Sequence, residues 1–373
     1  MSGWSRPPAP RVSADPLTVG QRLARQVEAG GPISIAHFMA EANADYYAGR
    51  DPLGADGDFT TAPEISQMFG ELIGLCLADV WMRSARRAGP LYLEFGPGRG
   101  TLAADALRAM EAAALAPQVH FVETSPALRD RQKAAVPHAT HHDDLDSVPD
   151  GGPILAVANE FFDALPVRQI VRAEGGWRER VVVPVEEASG ATGGPRFAPM
   201  PGYRNMDAAV PAALRDAPPG AIIETSPASA TVALALATRI RRQGGIAIIV
   251  DYGYEGPAVG DTLQAVRRHR MTDPFSDVGD SDLTTHVDFT TIGNMARQAG
   301  LKVLGPVGQG AFLDALGIAA RAQSLARAAP ARAEEIETAR ARLTEAEQMG
   351  TLFKAMAFVH PEWADPEGFA VGR

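Results

Sequence analysis

The sequence contains a single cysteine, Cys76, among its 373 residues. One cysteine cannot form an intrachain disulfide, so a disulfide-stapled fold is excluded and a reducing compartment is favoured. The cysteine lies between Leu75 and Leu77 in an apolar stretch. These neighbours predict a buried packing residue rather than a reactive thiol.

Long apolar runs are also lacking. No uninterrupted stretch approaches the roughly 18 residues that a transmembrane helix requires, so we expect no membrane insertion. The first 15 residues are rich in proline and lack the apolar segment of a secretory signal. The sequence therefore predicts a soluble, intracellular protein with a disordered lead-in.

Positively charged residues are also fewer than negatively charged ones. The chain has 35 Lys and Arg residues against 45 Asp and Glu residues, which gives a net charge of −10. Non-specific binding to nucleic acid needs a positive surface, so we expect no nucleic-acid partner. An acidic chain suits a cationic ligand or partner better.

An alternation of apolar runs and helical patterns occupies the middle of the chain. Apolar runs predict strands at Leu91–Phe95 and at residues 119–122, 154–158 and 246–250. Helical patterns fall between the first three of these runs, at residues 101–114 and 126–135. Strands that alternate with helices and are apolar throughout predict an α/β fold with a mostly parallel sheet covered on both faces.

The flanking segments predict further elements. Helices are expected at residues 17–29, after Ser34, and from Pro63 onward as one long amphipathic helix. Two strands at residues 167–172 and 177–183 predict a hairpin. The other predicted segments are a loop-rich stretch at 186–220, one solvated charged helix at 321–342, a helix at 343–350 and a closing strand at 352–359. The predicted regions are a lead-in (1–15), an N-terminal helical region with a lid loop (16–88), the first half of the core (89–165), an insertion ending in a core helix (166–243) and the second half of the core (244–373).

Three glycines follow the first core strand, in the segment LEFGPGRGT (93–101). A dinucleotide fingerprint needs glycine at the first, third and sixth positions, but Thr101 occupies the sixth position after Gly96. No Gly-Lys-Ser/Thr sequence follows either, so a P-loop is excluded. Glu94 would repel a phosphate group. The turn therefore favours a cofactor that carries positive charge, such as S-adenosylmethionine, over a nicotinamide dinucleotide.

Other residues fit the same cofactor. Glu123 ends the second core strand, where an acid can accept hydrogen bonds from ribose hydroxyls. Asp144 and Leu145 lie between the second and third core strands, near the expected end of a further strand, where they could contact the adenine. The candidates for the cofactor pocket are Glu94, Gly96, Gly98, Gly100, Thr101, Glu123, Asp144, Leu145, Asn159 and Thr60.

Several longer segments resemble the MidA family of methyltransferases. They are DFTTAPEISQMFGE (58–71), LEFGPGRGT (93–101), NEFFDALP (159–166), DYGYE (251–255), DLTTHVDF (282–289) and, more weakly, LFKAMAF (352–358). The resemblance implies a seven-stranded class I methyltransferase core, Rossmann-like, with an N-terminal helical region and a large α+β insertion. It also implies S-adenosyl-L-methionine as cofactor, arginine N-methylation, and a respiratory complex I subunit as protein partner, since mitochondrial members of the family are complex I assembly factors.

The resemblance leaves several points open. The short N-terminus favours the bacterial cytoplasm, with the mitochondrial matrix as the alternative for a eukaryotic chain. The oligomeric state is open, and a homodimer is one option. A small-molecule methyltransferase, a non-catalytic assembly factor that keeps the fold and, less favoured, a NAD-dependent oxidoreductase remain alternatives.

Acids at the carboxyl ends of the central strands are candidates for binding an acceptor guanidinium, which stays protonated and pairs with carboxylates. Glu160 follows the third strand, and Asp163 would lie beside it on one helical turn. The alternative is a helix cap formed by Asn159. Asp251 ends the fourth strand, where it is catalytic or a turn residue. His286 is catalytic or a structural hydrogen-bonding residue.

The segment DFTTAPEIS precedes the long helix predicted from Pro63. Asp58, Thr60, Thr61 and Glu64 are candidates for a lid over the cofactor, or Thr61 and Glu64 form a capping box. The histidines at 138, 141 and 142 lack metal-ligand spacing, and methyl transfer requires no metal. We therefore expect no metal site.

Overall fold

The computed structural model describes residues 17–48, 60–84, 89–189 and 194–369. The lead-in predicted at 1–15 lies outside these residues. The helices of the described part are α1 (Val19–Gly30), α2 (Ile35–Ala48), α3 (Ala62–Ile65), α4 (Gln67–Arg83), α5 (Thr101–Ala112), α6 (Pro126–Ala135), α7 (Pro227–Gln243), α8 (Phe289–Gln298), α9 (Gln309–Ala315), α10 (Ile318–Ala328) and α11 (Ala333–Thr344).

The strands of the same part of the chain are β1 (Ile33–Ser34), β2 (Leu91–Phe95), β3 (Gln118–Val122), β4 (Thr140–His142), β5 (Ile154–Asn159), β6 (Arg168–Ala173), β7 (Gly176–Ser189), β8 (Pro195–Asn205), β9 (Ile222–Thr225), β10 (Gly245–Tyr254), β11 (Gln264–Arg267), β12 (Arg270–Thr272), β13 (Asp282–Thr284), β14 (Val287–Asp288), β15 (Lys302–Gly308) and β16 (Phe353–Val359).

The central sheet has seven strands in the order β4-β3-β2-β5-β10-β16-β15, and β14 pairs with β10 beside this path. The five strands from β4 to β10 run parallel. Strand β16 is antiparallel to both of its neighbours. The predicted α/β class with a seven-stranded, mostly parallel sheet is therefore confirmed.

Helices cover both faces of this sheet. Helices α4, α5 and α10 bury one face, around Tyr92, Leu155 and Ile248. Helices α7 and α8 bury the other face, around Leu93 and Ile249. Because both faces are covered, all residues of β2 and β5 are buried. This burial explains why the strands are apolar throughout rather than alternating.

The insertion and the short N-terminal strand β1 form a second sheet, in the order β1-β7-β6-β9 with β8 paired to β7. The predicted hairpin is present as β6 and β7, joined in antiparallel register from Ala173–Gly176 to Ile170–Glu179. The prediction of a loop-rich segment at 186–220 was wrong in its first half, because β7 continues to Ser189 and pairs with the eleven-residue strand β8, whereas residues 206–220 form loops and short turns. Prolines and glycines interrupt the alternation in both strands and hid this ribbon from the pattern.

The N-terminal helices pack against this second sheet. Leu23 of α1 and Phe38 of α2 share an apolar cluster with Val182 of β7 and Phe197 of β8. The same cluster includes Leu283 of β13. Helix α2 is therefore held between the insertion and the loops that follow β10, and it lies beside the carboxyl ends of the core strands.

Two predicted helices are each divided in the structure. The helix expected from Pro63 is broken at Ser66, whose φ of −162° is extended and whose hydroxyl caps α4 by accepting the Met68 N–H at 3.2 Å. Pro63 is the second residue of α3, not the first residue of a long helix. The helix expected at 321–342 is divided into α10 and α11 near Pro330, because proline ends the preceding helix.

Candidate functional site

A cavity of about 810 Å³ lies at the carboxyl ends of β2, β3 and β5. This is the edge at which ligands bind in open α/β sheets. Its lining comes from the glycine turn after β2, the ends of β3 and β5, the start of α3, and helices α2 and α7. Cys76, by contrast, is buried in the core as predicted.

The glycine turn forms one wall. Gly96, Gly98 and Gly100 have φ values of 57°, 56° and 83°, a left-handed region that favours glycine. A Cβ on Gly96 would lie 3.2 Å from the ring of Phe161. Gly96, Gly98 and Thr101 line the cavity, whereas Gly100 forms the N-cap of α5 behind it. The backbone is thereby left open to a close ligand.

Glu94 lies on β2 at the floor of this wall. It is 2% exposed, and its carboxyl accepts the Tyr92 hydroxyl at 2.5 Å. Burial raises the pKa of Glu94 to about 8, against a lowering by the hydrogen bond from Tyr92. Among the described residues no ion pair to Glu94 is recorded, so a cationic ligand would meet a carboxyl that lacks a counter-charge.

Glu123 follows β3 and lines the cavity. Its Oε1 accepts the Ser125 N–H at 2.8 Å, and its Oε2 accepts the Gln132 amide at 3.0 Å. Burial raises the pKa of Glu123, and these two hydrogen bonds oppose the rise. Hydrogen bonds thus hold both carboxyl oxygens of Glu123 in fixed positions at the cavity lining.

Asp144 and Leu145 also line the cavity, beyond β4. The Asp144 carboxylate accepts the Ser147 N–H at 2.8 Å, which lowers its pKa. Asp144 is exposed, unlike Glu94 and Glu123. Its contact with a ligand would therefore be made at the mouth.

Asn159 and Glu160 form the opposite wall. Glu160 Oε1 accepts the Ala62 N–H and the Asn159 amide, each at 3.2 Å. Burial and, to a smaller extent, the nearby Asp163 raise the pKa of Glu160 to about 8. Asn159 Oδ1 is buried and has no hydrogen-bond partner among the residues that the structure describes. An unpartnered polar atom at a cavity wall fits a polar ligand group.

No helix follows β5, so both the predicted helical turn from Glu160 to Asp163 and the alternative helix cap at Asn159 were wrong. Glu160 has a φ of 49°, which turns the chain out of the strand. Asp163 is nevertheless close enough to Glu160 to raise its pKa. The Asp163 side chain is buried and accepts a hydrogen bond from Tyr252, and burial raises its pKa to about 6.

Asp251 lies under this turn and does not line the cavity. Its Oδ2 accepts the N–H groups of Phe161, Phe162 and Asp163 at 3.2, 3.0 and 3.3 Å. Its Oδ1 accepts the Tyr252 N–H at 2.9 Å. Burial raises the pKa of Asp251, as do the nearby carboxyls of Asp163 and Glu160.

His286 lies away from the cavity. Its backbone N–H donates to Thr262 Oγ1 at 2.9 Å, and its ring centroid is 5.5 Å from that of Tyr252. Burial lowers the pKa of His286. The structure therefore brings Glu160 to the cavity but places Asp163, Asp251 and His286 outside its lining.

The lid segment is only partly described, and Asp58 lies outside the described residues. Thr60 does not line the cavity, whereas Thr61 and Glu64 do. The capping box predicted for Thr61 and Glu64 was wrong, since the Thr61 side chain makes no cap hydrogen bond. Glu64 instead accepts the Thr101 hydroxyl at 2.5 Å, which ties α3 to the glycine turn.

Sequence reasoning missed the contribution of α2. Tyr47 lines the cavity and donates to Asp282 Oδ1 at 2.7 Å. Asn43 lines it too, and its amide donates to the carbonyls of Ala164 and Leu283 at 3.1 and 2.8 Å. The available signal was polar Asn43 on an otherwise apolar helical face, but nothing local to α2 shows that it meets β13.

Taken together, these residues fit S-adenosylmethionine. The glycine turn leaves room for close approach, Glu123 presents directed acceptors, and Asn159 Oδ1 lacks a partner. Glu94 and Glu160 supply acidity to a cationic ligand. In the part of the chain that the structure describes, no group of three metal-ligating side chains is found, and no helix is long and apolar enough to cross a membrane.

Comparison with known proteins agrees with this site. A family model described as an S-adenosyl-L-methionine-dependent methyltransferase matches residues 72–307. The chain is similar to a Burkholderia thailandensis protein solved bound to S-adenosyl-homocysteine. That structure has a TM-score of 0.79 and 29% identity, with 95% of each chain covered.

Curated relatives match over most of the chain as well. One is the mitochondrial protein arginine methyltransferase NDUFAF7 homolog of Drosophila melanogaster, 36% identical over 91% of this chain and 84% of that protein. Another is the mitochondrial protein arginine methyltransferase NDUFAF7 of Homo sapiens, 32% identical over 82% of this chain and 74% of that protein.

Proposed function

The chain belongs to this family of S-adenosyl-L-methionine-dependent methyltransferases, and we propose that it methylates an arginine side chain of a protein. Membership confirms the cofactor predicted from the glycine turn and Glu123, and it removes the NAD-dependent oxidoreductase alternative. The arginine acceptor is supported by the names of the relatives and by the acidity of the wall opposite the glycine turn.

The observation that carries the proposal is the set of buried carboxyls around Glu160. Glu160, Asp163 and Asp251 lie within electrostatic range of one another, because Asp163 raises the pKa of Glu160 and both of these carboxyls raise the pKa of Asp251. None of the three carboxyls forms an ion pair with another residue that the structure describes. Ionising a buried carboxyl without a cation is costly, and a guanidinium entering beside Glu160, the one of the three that lines the cavity, would offset that cost.

The cofactor would be held mainly by the wall that carries the glycine turn, with further contacts from Asp144, Leu145 and, on the opposite wall, Asn159. We assign Gly96, Gly98 and Thr101 to the methionine part, with Glu94 facing its ammonium group. Glu123 would accept the ribose hydroxyls. Asp144 and Leu145 would contact the adenine, and Asn159 Oδ1 would accept a polar group. The bound cofactor supplies an electrophilic methyl group.

Glu160 would bind and orient the acceptor. Its pKa of about 8 means that the carboxyl is largely neutral before the acceptor enters. A guanidinium beside it favours the ionised form, so the ion pair forms as the acceptor is bound. The carboxylate then draws positive charge away from the attacking nitrogen and can accept its proton. In-line attack depends mainly on this positioning.

For the acceptor protein we propose a subunit of respiratory complex I, supported by the resemblance of motifs such as NEFFDALP. We place the reaction in the bacterial cytoplasm, or in the mitochondrial matrix if the chain is eukaryotic, as the names of the relatives would suggest for such a chain. The homodimer remains a proposal that sedimentation of the purified protein would test.

The test is transfer of an isotope-labelled methyl group from S-adenosylmethionine to a complex I fraction from cells that lack this gene. Mass spectrometry should find the label on an arginine of one subunit, and Glu160→Gln should reduce it strongly. Label on a small molecule would favour the small-molecule methyltransferase. Intact cofactor binding with no transfer to either would favour the non-catalytic assembly factor.

A further inference from the structure

We propose that Asp251 is a positioning residue for methyl transfer: it fixes the turn at residues 160–163 so that Glu160 faces the cavity. The inference rests on the proposed role of Glu160. It differs from the sequence-based expectation that Asp251 itself is catalytic, because Asp251 is fully buried and does not line the cavity.

The first support is the convergence of backbone N–H groups. Three consecutive N–H groups, from Phe161, Phe162 and Asp163, point at one oxygen of Asp251. Successive N–H groups that converge in this way form a nest for an anion. The acceptor here is a side-chain carboxyl oxygen 88 to 90 residues further along the chain. The turn is thus defined by a long-range contact rather than by its own sequence.

The second support is the backbone of Glu160. Its N–H still donates to Val250 O at 2.9 Å, so the strand pairing is kept up to this residue. Its φ of 49° then reverses the chain direction, a conformation that residues other than glycine rarely adopt. Such a conformation persists only where the surroundings hold it, and the three hydrogen bonds to Asp251 come directly after it.

The third support is that the turn connects both walls of the cavity. The Phe161 ring packs 5.3 Å from that of Phe95 and closes against Gly96. On its other side, Glu160 accepts the Ala62 N–H of α3. A shift of the turn would therefore move Glu160 relative to the glycine turn, and small displacements of a reacting pair cost much of the rate.

An amide cannot replace this carboxyl group. Asp251 accepts four N–H groups through two oxygens, and asparagine would place an NH₂ donor against at least one of them. Asp251→Asn conserves shape and should open the turn without emptying the core. Glu224→Gln is the matched control, because Glu224 is also buried and accepts hydrogen bonds from Gln169 and Thr262 but lies outside the cavity lining.

The experiment is a double-mutant cycle with wild type, Asp251→Asn, Glu160→Gln and the double variant. The turnover rate, affinity for S-adenosyl-homocysteine and amide hydrogen exchange at residues 159–165 are measured for each. Asp251→Asn should lower turnover about 10- to 100-fold and change cofactor affinity by less than about threefold. The double variant should be no slower than Glu160→Gln alone, since Asp251 acts through Glu160. Glu224→Gln should leave the exchange of this segment unchanged.

Multiplicative losses in the double variant would overturn the proposal, because they would show independent roles. Fast amide exchange of residues 161–163 in the wild-type protein would overturn it as well, and this measurement stands even if Asp251→Asn does not fold. If the wild type transfers no methyl group to arginine, the proposed function fails. The positioning role is then judged by whether Asp251→Asn speeds exchange at 161–163 while cofactor affinity is kept.

Discussion

The two walls of the cavity are built in different ways. The wall that carries the glycine turn comes from one continuous stretch, residues 91–132, in which Gln132 fixes Glu123 from nine residues away. The opposite wall is assembled over long distances. The Glu160 carboxyl accepts a hydrogen bond from the N–H of Ala62, 98 residues earlier. The turn after Glu160 donates hydrogen bonds to Asp251. One wall is therefore specified locally and the other by the tertiary fold.

The difference separates two functions. The local wall offers directed acceptors and open backbone, which suit binding of a cofactor. The long-range wall offers buried acids without a recorded counter-ion among the described residues, which suit a cationic acceptor. Substitutions on the first wall should mainly change cofactor affinity, and those on the second should mainly change the rate.

The largest expected effect is on the rate, from Glu160→Gln. Loss of a charged contact that strengthens in the transition state costs about 2–4 kcal/mol, or roughly a 30- to 1000-fold drop in turnover. Initial rates at saturating cofactor measure it, with Glu224→Gln as the control. A wild-type rate for Glu160→Gln would remove Glu160 from the acceptor site.

The next effect is on affinity, from Glu123→Ala. Loss of a charged hydrogen-bonding group costs about 1.5–3 kcal/mol, which is roughly a 10- to 150-fold weaker binding of S-adenosyl-homocysteine. Titration calorimetry measures it. Glu111→Ala, an exposed change on the neighbouring helix α5, should bind like wild type. Equal affinities for both variants would contradict the assignment of Glu123 to the ribose of the cofactor.

The pH dependence of stability should report the buried acids. The pKa values of Glu94 and Glu160 are raised to about 8, from an ordinary value of 4.5. The folded protein therefore holds protons that the unfolded chain has released between these values, and stability falls as pH rises through this window. Each group contributes up to about 1.4 kcal/mol per pH unit.

This slope can be measured as the free energy of unfolding of the cofactor-free protein between pH 5 and pH 8. Glu160→Gln should reduce the slope, because the group no longer titrates. Glu224 also has a raised pKa, so Glu224→Gln shows how much any buried acid contributes. An unchanged slope in Glu160→Gln would mean that Glu160 is ionised throughout the window.

A smaller effect is expected at the glycine turn. Gly96→Ala introduces a Cβ that meets Phe161 at 3.2 Å, at a φ of 57°. The left-handed conformation alone costs about 1–2 kcal/mol for a residue with a Cβ. Gly30→Ala is the control, because nothing lies within 4 Å of that Cβ and its φ is not positive. Equal melting temperatures for the two variants would contradict the claim that a Cβ strains the glycine turn.

The smallest effect is expected from Asp144→Ala. Because Asp144 is exposed, water competes with its ligand contact, and the affinity for S-adenosyl-homocysteine should fall only about two- to fivefold. Competition binding measures so small a change. A loss as large as that of Glu123→Ala would mean that the cofactor buries Asp144 deeply.

Much of the core was predictable because its signals are local. The apolar runs that became β2, β5 and β10 are buried on both faces, and the glycine turn has its own composition. The kink at Ser66 and the ribbon of β7 and β8 could not be predicted. A single serine with extended backbone leaves no repeating pattern in the sequence, and the prolines in the two strands interrupt the alternation of apolar and polar residues. The same limit applied to the site. Nothing near Asp251 in sequence indicates that it binds the N–H groups of Phe161 and its neighbours.

The central claim, that the two walls serve cofactor and acceptor separately, is tested most directly by the affinity of Glu160→Gln for S-adenosyl-homocysteine. Titration calorimetry should give a dissociation constant within about threefold of wild type, because changes at independent sites do not couple. A collapse of affinity in Glu160→Gln would show instead that Glu160 belongs to the cofactor wall, and the separation of the two walls would be wrong.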